Sequence, residues 1–80
     1  MRRFPEDLSR TIFERADRRY RDLETGHVIA IKRVRLRRLE RLVMIAYDQV
    51  GDGVEIVTIH PISEEQEMSR VRGGRWKRVG

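Results

Sequence analysis

The sequence predicts a small α+β domain, in which an N-terminal helix packs on a three- to four-stranded antiparallel meander sheet and a short helix lies near the C-terminus. Three observations lead to this prediction: an apolar stripe with helical spacing near the N-terminus, β-branched stretches in the middle, and Gly- or Pro-containing breaks between them. The 80 residues fit a single domain over 1–80.

The first predicted helix covers residues 5–24. Pro5 suits its first turn, because the N–H that proline lacks would be unpaired there. Five apolar residues recur at spacings of three or four and form one stripe: Leu8, Ile12, Ala16, Tyr20 and Leu23. Gly26 is expected to end the helix.

Two strands follow, because the β-branched residues of 27–36 and 41–50 show no helical spacing. Residues 37–40 are predicted to form a short polar connection between them. The second strand contains a nearly continuous apolar run from Leu42 to Tyr47, which is typical of a strand in the middle of a sheet.

A tight turn is predicted at 51–53, where both glycines are free to adopt positive φ. A third strand follows over 54–60 and ends at Pro61, which cannot donate to a strand ladder. Ser63, with Gln66 three residues later, forms a capping-box pattern.

That pattern predicts a short helix over 63–71, and Gly73-Gly74 suits its C-terminal end. A brief terminal strand or extended tail is expected at 75–79.

Sixteen Arg and two Lys give the chain a net charge of +5, and the basic residues are segregated. Residues 51–69 carry five acidic and no basic side chains, whereas 70–80 carry five basic and no acidic ones. A GC-rich genome or a hot habitat would also favour Arg over Lys, but would not segregate the charge. The pattern therefore favours a defined positive face and a polyanionic partner, most plausibly RNA.

Several classes of protein are excluded or disfavoured. The chain has no cysteine, which excludes disulfides, thiolate zinc sites and a cysteine nucleophile. No apolar run approaches the roughly 20 residues that span a bilayer, and no apolar signal stretch follows the N-terminus. We therefore expect a cytoplasmic protein without a membrane partner, and no motif indicates a metal or cofactor.

Two histidines are the side chains best suited to proton transfer near neutral pH. The meander places His27 and His60 at opposite ends of the sheet, so a His/His acid–base pair is not expected. Each histidine alone could also be structural or surface-exposed. His60 is the better candidate, because it closes a strand next to a Pro turn and still reaches solvent.

Arginines on the first two strands form a second candidate site. Arg33 and Arg35 share a face with His27, and Arg41 belongs to the same alternating set as Tyr47. A sheet face with these side chains near one edge could hold a phosphate and offer a phenol to a base. A solvated strand edge protected by charge explains the same pattern.

The C-terminal segment combines dense positive charge, two glycines and one aromatic ring. Its candidate nucleic-acid-binding residues are Arg70, Arg72, Arg75, Trp76, Lys77 and Arg78. Trp76 could stack on a base, although ordinary core packing explains a lone Trp in a small protein equally well.

The order of elements, the segments Leu42–Tyr47 and Val54–Pro61, and the closing Arg72-Gly-Gly-Arg-Trp76 resemble small RelE/ParE-like toxins over about residues 8–78. The resemblance implies a metal-independent endoribonuclease that works with a cognate antitoxin. In it, a 2′-hydroxyl attacks the adjacent phosphodiester while cations stabilise the transition state.

Carried over by this resemblance, Arg35, Arg72 and Arg75 would hold phosphate, and His60 or Tyr47 would transfer protons. The rival interpretations are a non-catalytic nucleic-acid or ribosome-binding module, and a subunit whose basic face binds an acidic protein. A homodimer formed through an exposed strand edge is a further expectation.

Overall fold

The computed structural model describes residues 7–79, so the predicted helix start at Pro5 lies outside the described residues. The elements follow the chain in the order α1 (Leu8–Arg15), β1 (Arg18–Asp22), β2 (Val28–Leu36), β3 (Leu39–Val50), β4 (Gly53–Pro61), α2 (Glu64–Arg72) and β5 (Trp76–Arg78). The five strands form one antiparallel sheet in the order β4-β3-β2-β1-β5. The predicted α+β class is confirmed, with one strand more than expected.

The first predicted helix is wrong beyond Arg15. Ala16 is extended (φ −54°, ψ 139°), and the amide of Asp17 donates to the carbonyl of Ile31, which begins the pairing of β1 with β2. In β1 the buried Tyr20 and Asp22 alternate with the exposed Arg21, so the strand period holds here rather than the helical one.

Two further details of the prediction are corrected in the turns. Gly26 does not end a helix: it lies in the β1–β2 connection at φ 84°. In the β3–β4 turn Gly51 has positive φ (60°), as the first central residue of a type II′ turn requires, whereas Gly53 begins β4 without positive φ.

The C-terminal elements are close to their predicted bounds. Ser63 accepts a hydrogen bond from the Gln66 amide, and the Gln66 side chain accepts one from the Ser63 amide, so the capping box is confirmed. Gly73 caps α2, and Gly74 follows at φ 80°. The terminal strand is confirmed as β5, which pairs with β1.

The two helices lie on opposite faces of the sheet, and each covers one half of the core. On the α1 face, the buried cluster comprises Leu8, Ile12, Ala30, Val43, Ile45 and Tyr47. On the α2 face, it comprises Tyr20, Ile29, Ile31, Leu42, Met44, Ala46, Ile62 and Trp76. Since β3 contributes to both clusters, it is the central strand of the core, as its continuous apolar run predicts.

Neither helix within residues 7–79 has the length and apolar character that crossing a membrane requires.

Candidate nucleic-acid interface

The β2–β3 hairpin extends past its neighbours in the sheet. β1 pairs with β2 only over Val28–Ile31, and β4 pairs with β3 only over Val43–Val50. Residues 33–42, here called the ribbon, therefore pair only with each other in the sheet, through four cross-strand pairs from Arg33–Leu42 to Leu36–Leu39. At about 3.3 Å per residue, the ribbon extends roughly 10–13 Å beyond the neighbouring strands.

The ribbon closes in a two-residue turn formed by Arg37 and Arg38, which have φ values of 49° and 72°. Positive φ at both central residues is the type I′ geometry that matches strand twist, and Asn-Gly is its preferred sequence. An L-residue with a side chain pays about 1–2 kcal/mol for this conformation. Two consecutive arginines therefore occupy turn positions whose backbone conformation favours Asn and Gly.

The ribbon carries five Arg and one Glu. Arg33 forms an ion pair with Glu64 of α2. Within residues 7–79, no carboxylate lies within 4.0 Å of the other four guanidinium groups: Arg35, Arg37, Arg38 and Arg41. All four are exposed, and Glu40, opposite Arg35, is the one acidic residue of the ribbon, so this part of the surface carries a net positive charge.

The four arginines point in three directions. Arg35 has the parity of the buried Ile31 and lies on the α2 face, whereas Arg41 has the parity of Val43 and lies on the α1 face. Arg37 and Arg38 occupy the tip. An anion can therefore meet a guanidinium group from either side of the ribbon or from its end.

Next to the ribbon, a groove of about 540 Å³ runs between α2 and the sheet. Its lining residues come from β1, β2 and α2: Arg18, Tyr20, Arg33, Glu64, Glu67, Met68, Val71 and Arg72. Arg33 belongs to both the groove and the ribbon, so the two surfaces are continuous.

An ion pair between the buried Glu67 and the half-buried Arg18 forms the floor of this groove. Arg18 donates to both carboxylate oxygens of Glu67, at 2.6 and 2.8 Å, and the Tyr20 hydroxyl donates to the same carboxylate at 2.6 Å. The hydrogen bond from Arg18 lowers the pKa of Glu67 against the opposing effect of burial. Burial, followed by the Glu67 hydrogen bond, raises the pKa of Tyr20.

Glu67 is therefore not a solvated charge on the helix surface. Glu67 is buried and organises α2 on the sheet, so Arg18 is held by an internal partner.

A second buried carboxylate, Asp22, holds the C-terminal segment. It accepts hydrogen bonds from the Arg75 guanidinium and from the Trp76 indole N–H, both at 3.2 Å, and from the amides of Glu24 and Thr25. Burial raises the pKa of Asp22, but these hydrogen bonds outweigh it and lower that pKa to about 2.

Two predicted ligand-binding residues are therefore engaged inside the fold. Arg75 forms an ion pair with Asp22. Trp76 is only 3% exposed, and its ring is stacked on that of Tyr20 with 5.4 Å between the ring centroids. The exposed stacking platform predicted for Trp76 does not fit this geometry, and the alternative of core packing describes it.

The three predicted catalytic residues do not share a site. Tyr47 is buried on the α1 face, where its hydroxyl accepts a hydrogen bond from Arg19 at 3.0 Å. His60 is exposed on the α2 face opposite Met44, whereas Arg35 lies opposite Glu40. Four residues of β3 separate these positions, which is about 13 Å along the strand.

The other predicted residues are scattered. The guanidinium of Arg70 lies 5.0 Å from the centre of the Trp76 ring, while Arg72 lines the groove. Lys77 and Arg78 are exposed on β5, and they point to opposite faces because they are adjacent in a strand. His27 lies away from His60, with Nδ1 2.7 Å from the Asp48 carboxylate.

Sequence reasoning missed Arg37 and Arg38 as functional candidates by assigning them to a polar connection. The signal was present as a run of six basic residues within 32–41. The absence of Gly or Asn from a short hairpin connection was a second signal.

Among residues 7–79 there is no group of three or more His, Cys, Asp or Glu side chains that could hold a metal ion. Comparisons with protein-family models, with curated proteins and with solved structures give no match for this chain. The resemblance to RelE/ParE-like toxins accordingly stays a prediction from the sequence.

Proposed function

We propose that this protein is a non-catalytic nucleic-acid-binding module whose ribbon contacts phosphates. The observation that carries the proposal is the group of four exposed ribbon arginines without a carboxylate within 4.0 Å in residues 7–79. A guanidinium group can donate two parallel hydrogen bonds to one phosphate, which an ammonium group cannot do.

The positions of the predicted catalytic residues favour binding over catalysis. A proton-transfer group must come within about 3 Å of the proton that it moves, directly or through one water. Tyr47 is buried on one face, and Arg35 and His60 are separated on the other. The strained turn of Arg37 and Arg38 also lies in the ribbon, away from His60.

The test is a titration of mixed-sequence RNA and DNA with the protein over a range of salt concentrations. Phosphate contacts release counterions, so the affinity should fall steeply as salt rises. The double variant Arg35→Gln and Arg41→Gln, on either side of the ribbon tip, should weaken binding more than the charge-matched double variant Lys77→Gln and Arg78→Gln. An absence of binding at low salt would refute the proposal, and equal losses in both variants would remove the ribbon as its site.

An RNA-directed, metal-independent endoribonuclease is the second candidate, and the exposure of His60 is the observation that favours it. The same samples, incubated in EDTA, distinguish the two functions. Cleavage that is lost in His60→Ala would favour the enzyme, whereas RNA that is bound and left intact fits the module.

The partners belong to the proposal as well. In the endoribonuclease candidate, RNA or the ribosome would contact the ribbon, and a cognate antitoxin would cover the same charge in a cytoplasmic setting. A homodimer would use β4, whose outer edge has no strand partner within residues 7–79. An acidic protein partner is supported instead if nucleic-acid binding proves indifferent to salt.

A further inference from the structure

We infer that the ribbon enters the major groove of B-form duplex DNA. This inference rests on the proposed nucleic-acid binding and names the ligand class of that same surface. Its basis is the shape of residues 33–42, the placement of their arginines, and the burial of the aromatic rings.

The dimensions of the ribbon fit that groove. Two paired strands lie about 4.8 Å apart, and the B-form major groove, which is about 12 Å wide and 8.5 Å deep, admits a two-stranded ribbon. The ribbon extends roughly 10–13 Å beyond β1 and β4. Val34 and Leu36 pack against the α1-face cluster and Leu42 is buried, so the part that would enter the groove is the tip with the arginines beside it. The major groove of A-form RNA is too deep and narrow for such an entry.

The positions of the ribbon arginines match those of the hydrogen-bond acceptors of a DNA duplex, namely its phosphates and base edges. Arg35 and Arg41 lie on opposite faces of the ribbon and would meet the phosphates of the two strands that wall the groove. Arg37 and Arg38 at the tip would face the base edges, where arginine pairs with the O6 and N7 acceptors of guanine.

Single-stranded ligands fit this surface less well. Proteins that bind single strands stack bases on exposed aromatic rings. Within residues 7–79, Tyr20, Tyr47 and Trp76 are buried, and Phe13 is half-buried with its ring against Tyr47 and Arg19. The described surface thus offers cations and hydrogen-bond donors but no fully exposed aromatic ring.

The turn geometry indicates that the tip arginines have a function that depends on their side chains. Arg37 and Arg38 both have positive φ, which asparagine and glycine adopt with less strain. A strained pair at an exposed tip supports a function at that tip. It also allows a substitution that improves the fold while it removes the ligand contacts.

The experiment measures binding to four labelled probes of equal length: a DNA duplex, an RNA duplex, and a single strand of each. A fifth probe is the same DNA duplex with bulky groups on C5 of its pyrimidines, an atom that faces the major groove. We expect the DNA duplex to bind at least tenfold more tightly than the RNA duplex and the single strands. The bulky groups should remove that preference.

The matched variant is Arg37→Asn with Arg38→Gly. It should weaken binding to the DNA duplex at least tenfold and relax any preference for guanine, because two base contacts are lost, while the slope of log affinity against log salt changes little. It should also raise the midpoint of thermal unfolding, which shows that the lost affinity is not lost folding. The pair Lys77→Gln and Arg78→Gln is the charge-matched control.

Equal binding of DNA and RNA duplexes, with no effect of the C5 groups, would overturn groove entry and leave nucleic-acid binding standing. Tighter binding to single-stranded RNA would overturn it in favour of the RNA-directed prediction. Failure to bind any probe would overturn this inference together with the proposed function.

Discussion

The two hairpins that share β3 carry opposite charge at their turns. The β2–β3 ribbon carries five Arg and one Glu over 33–42, whereas the β3–β4 end carries three acidic and no basic residues over 48–55. The acidic hairpin turns at Gly51, a residue that adopts positive φ without strain, while the basic hairpin turns at Arg37 and Arg38. One turn has the residues that folding favours, and the other has residues whose backbone preference cannot explain their presence.

The arginine turn is best explained by what its side chains contact. Each of the two turns joins another strand to β3, which contributes to both core clusters. β4 itself has no buried side chain, and only its half-buried Ile59 packs against the α1-face cluster.

The largest expected effect breaks the contacts that hold α2 on β1. Glu67→Ala leaves the Tyr20 hydroxyl and the Arg18 guanidinium without their partner beneath α2. Because Glu67 is buried and Arg18 is partly exposed, we expect a loss of about 2–4 kcal/mol in the free energy of unfolding. Urea denaturation measures it, with the exposed Glu65→Ala as the control within about 0.5 kcal/mol of the parent. A loss no larger than that of the control would contradict the role of Glu67.

Acid should destabilise the fold without removing the positive charge of the ribbon. The folded pKa of Asp22 is lowered from 3.8 to about 2, so its stabilising contribution is full above pH 3.8 and is lost as the pH falls towards 2. The linkage amounts to about 2 kcal/mol, and the lowered pKa of Glu67 acts in the same direction. Arginines keep their charge throughout, so binding lost at low pH would follow unfolding.

Denaturation of Asp22→Asn at pH 6 and at pH 2.5 checks this account. The variant should be less stable than the parent at pH 6 and should lose less stability on acidification. A parent protein whose stability is unchanged between these pH values would contradict the assigned pKa of Asp22.

The turn of the acidic hairpin should be sensitive to a side chain. Gly51 has φ 60° and open space around the position of a Cβ, so Gly51→Ala costs only backbone strain, about 1–2 kcal/mol. Thermal unfolding measures the loss. Gly53→Ala, at a position without positive φ, is the control and should cost less.

The smallest expected effect has the opposite sign. Arg38→Gly relieves the strain at φ 72°, partly offset by the greater unfolded-state entropy of glycine, and should stabilise the fold by up to about 1 kcal/mol. A glycine removed from one hairpin and a glycine added to the other would thus move the unfolding midpoint in opposite directions. Destabilisation by Arg38→Gly would mean that the arginine contributes to the fold.

Local signals predicted much of the fold. The capping box of Ser63 and Gln66, the apolar run of β3 and the turn at Gly51 depend on neighbouring residues, and all three are confirmed. The predicted helix continued too far because Ala16 and Tyr20 suit a helical stripe, although β1 buries Tyr20 by strand alternation.

The buried carboxylates could not be predicted locally. Asp22 depends on Arg75 and Trp76, which lie 53 and 54 residues away along the chain, and Glu67 depends on Arg18 at 49 residues. The candidate interface was predicted in part through Arg33, Arg35 and Arg41.

Arg37 and Arg38, at the tip of this interface, were not predicted as part of it, because turns with positive φ are typical of Gly, Asn and Asp. The six basic residues of 32–41 were therefore divided between two predicted strands and a connection.

Neutralising the ribbon and the acidic hairpin in separate variants, and measuring the salt dependence of binding to a DNA duplex, tests most directly whether the ribbon is the binding surface. One variant carries Arg35→Gln and Arg41→Gln, the ribbon arginines assigned to phosphates, and the other carries Asp52→Asn and Glu55→Gln. The first should lower the slope of log affinity against log salt by about 1.8 and weaken binding, while the second should leave the slope unchanged. A slope that stays the same in the arginine variant, or that changes equally in both, would contradict the assignment of the ribbon as the binding surface.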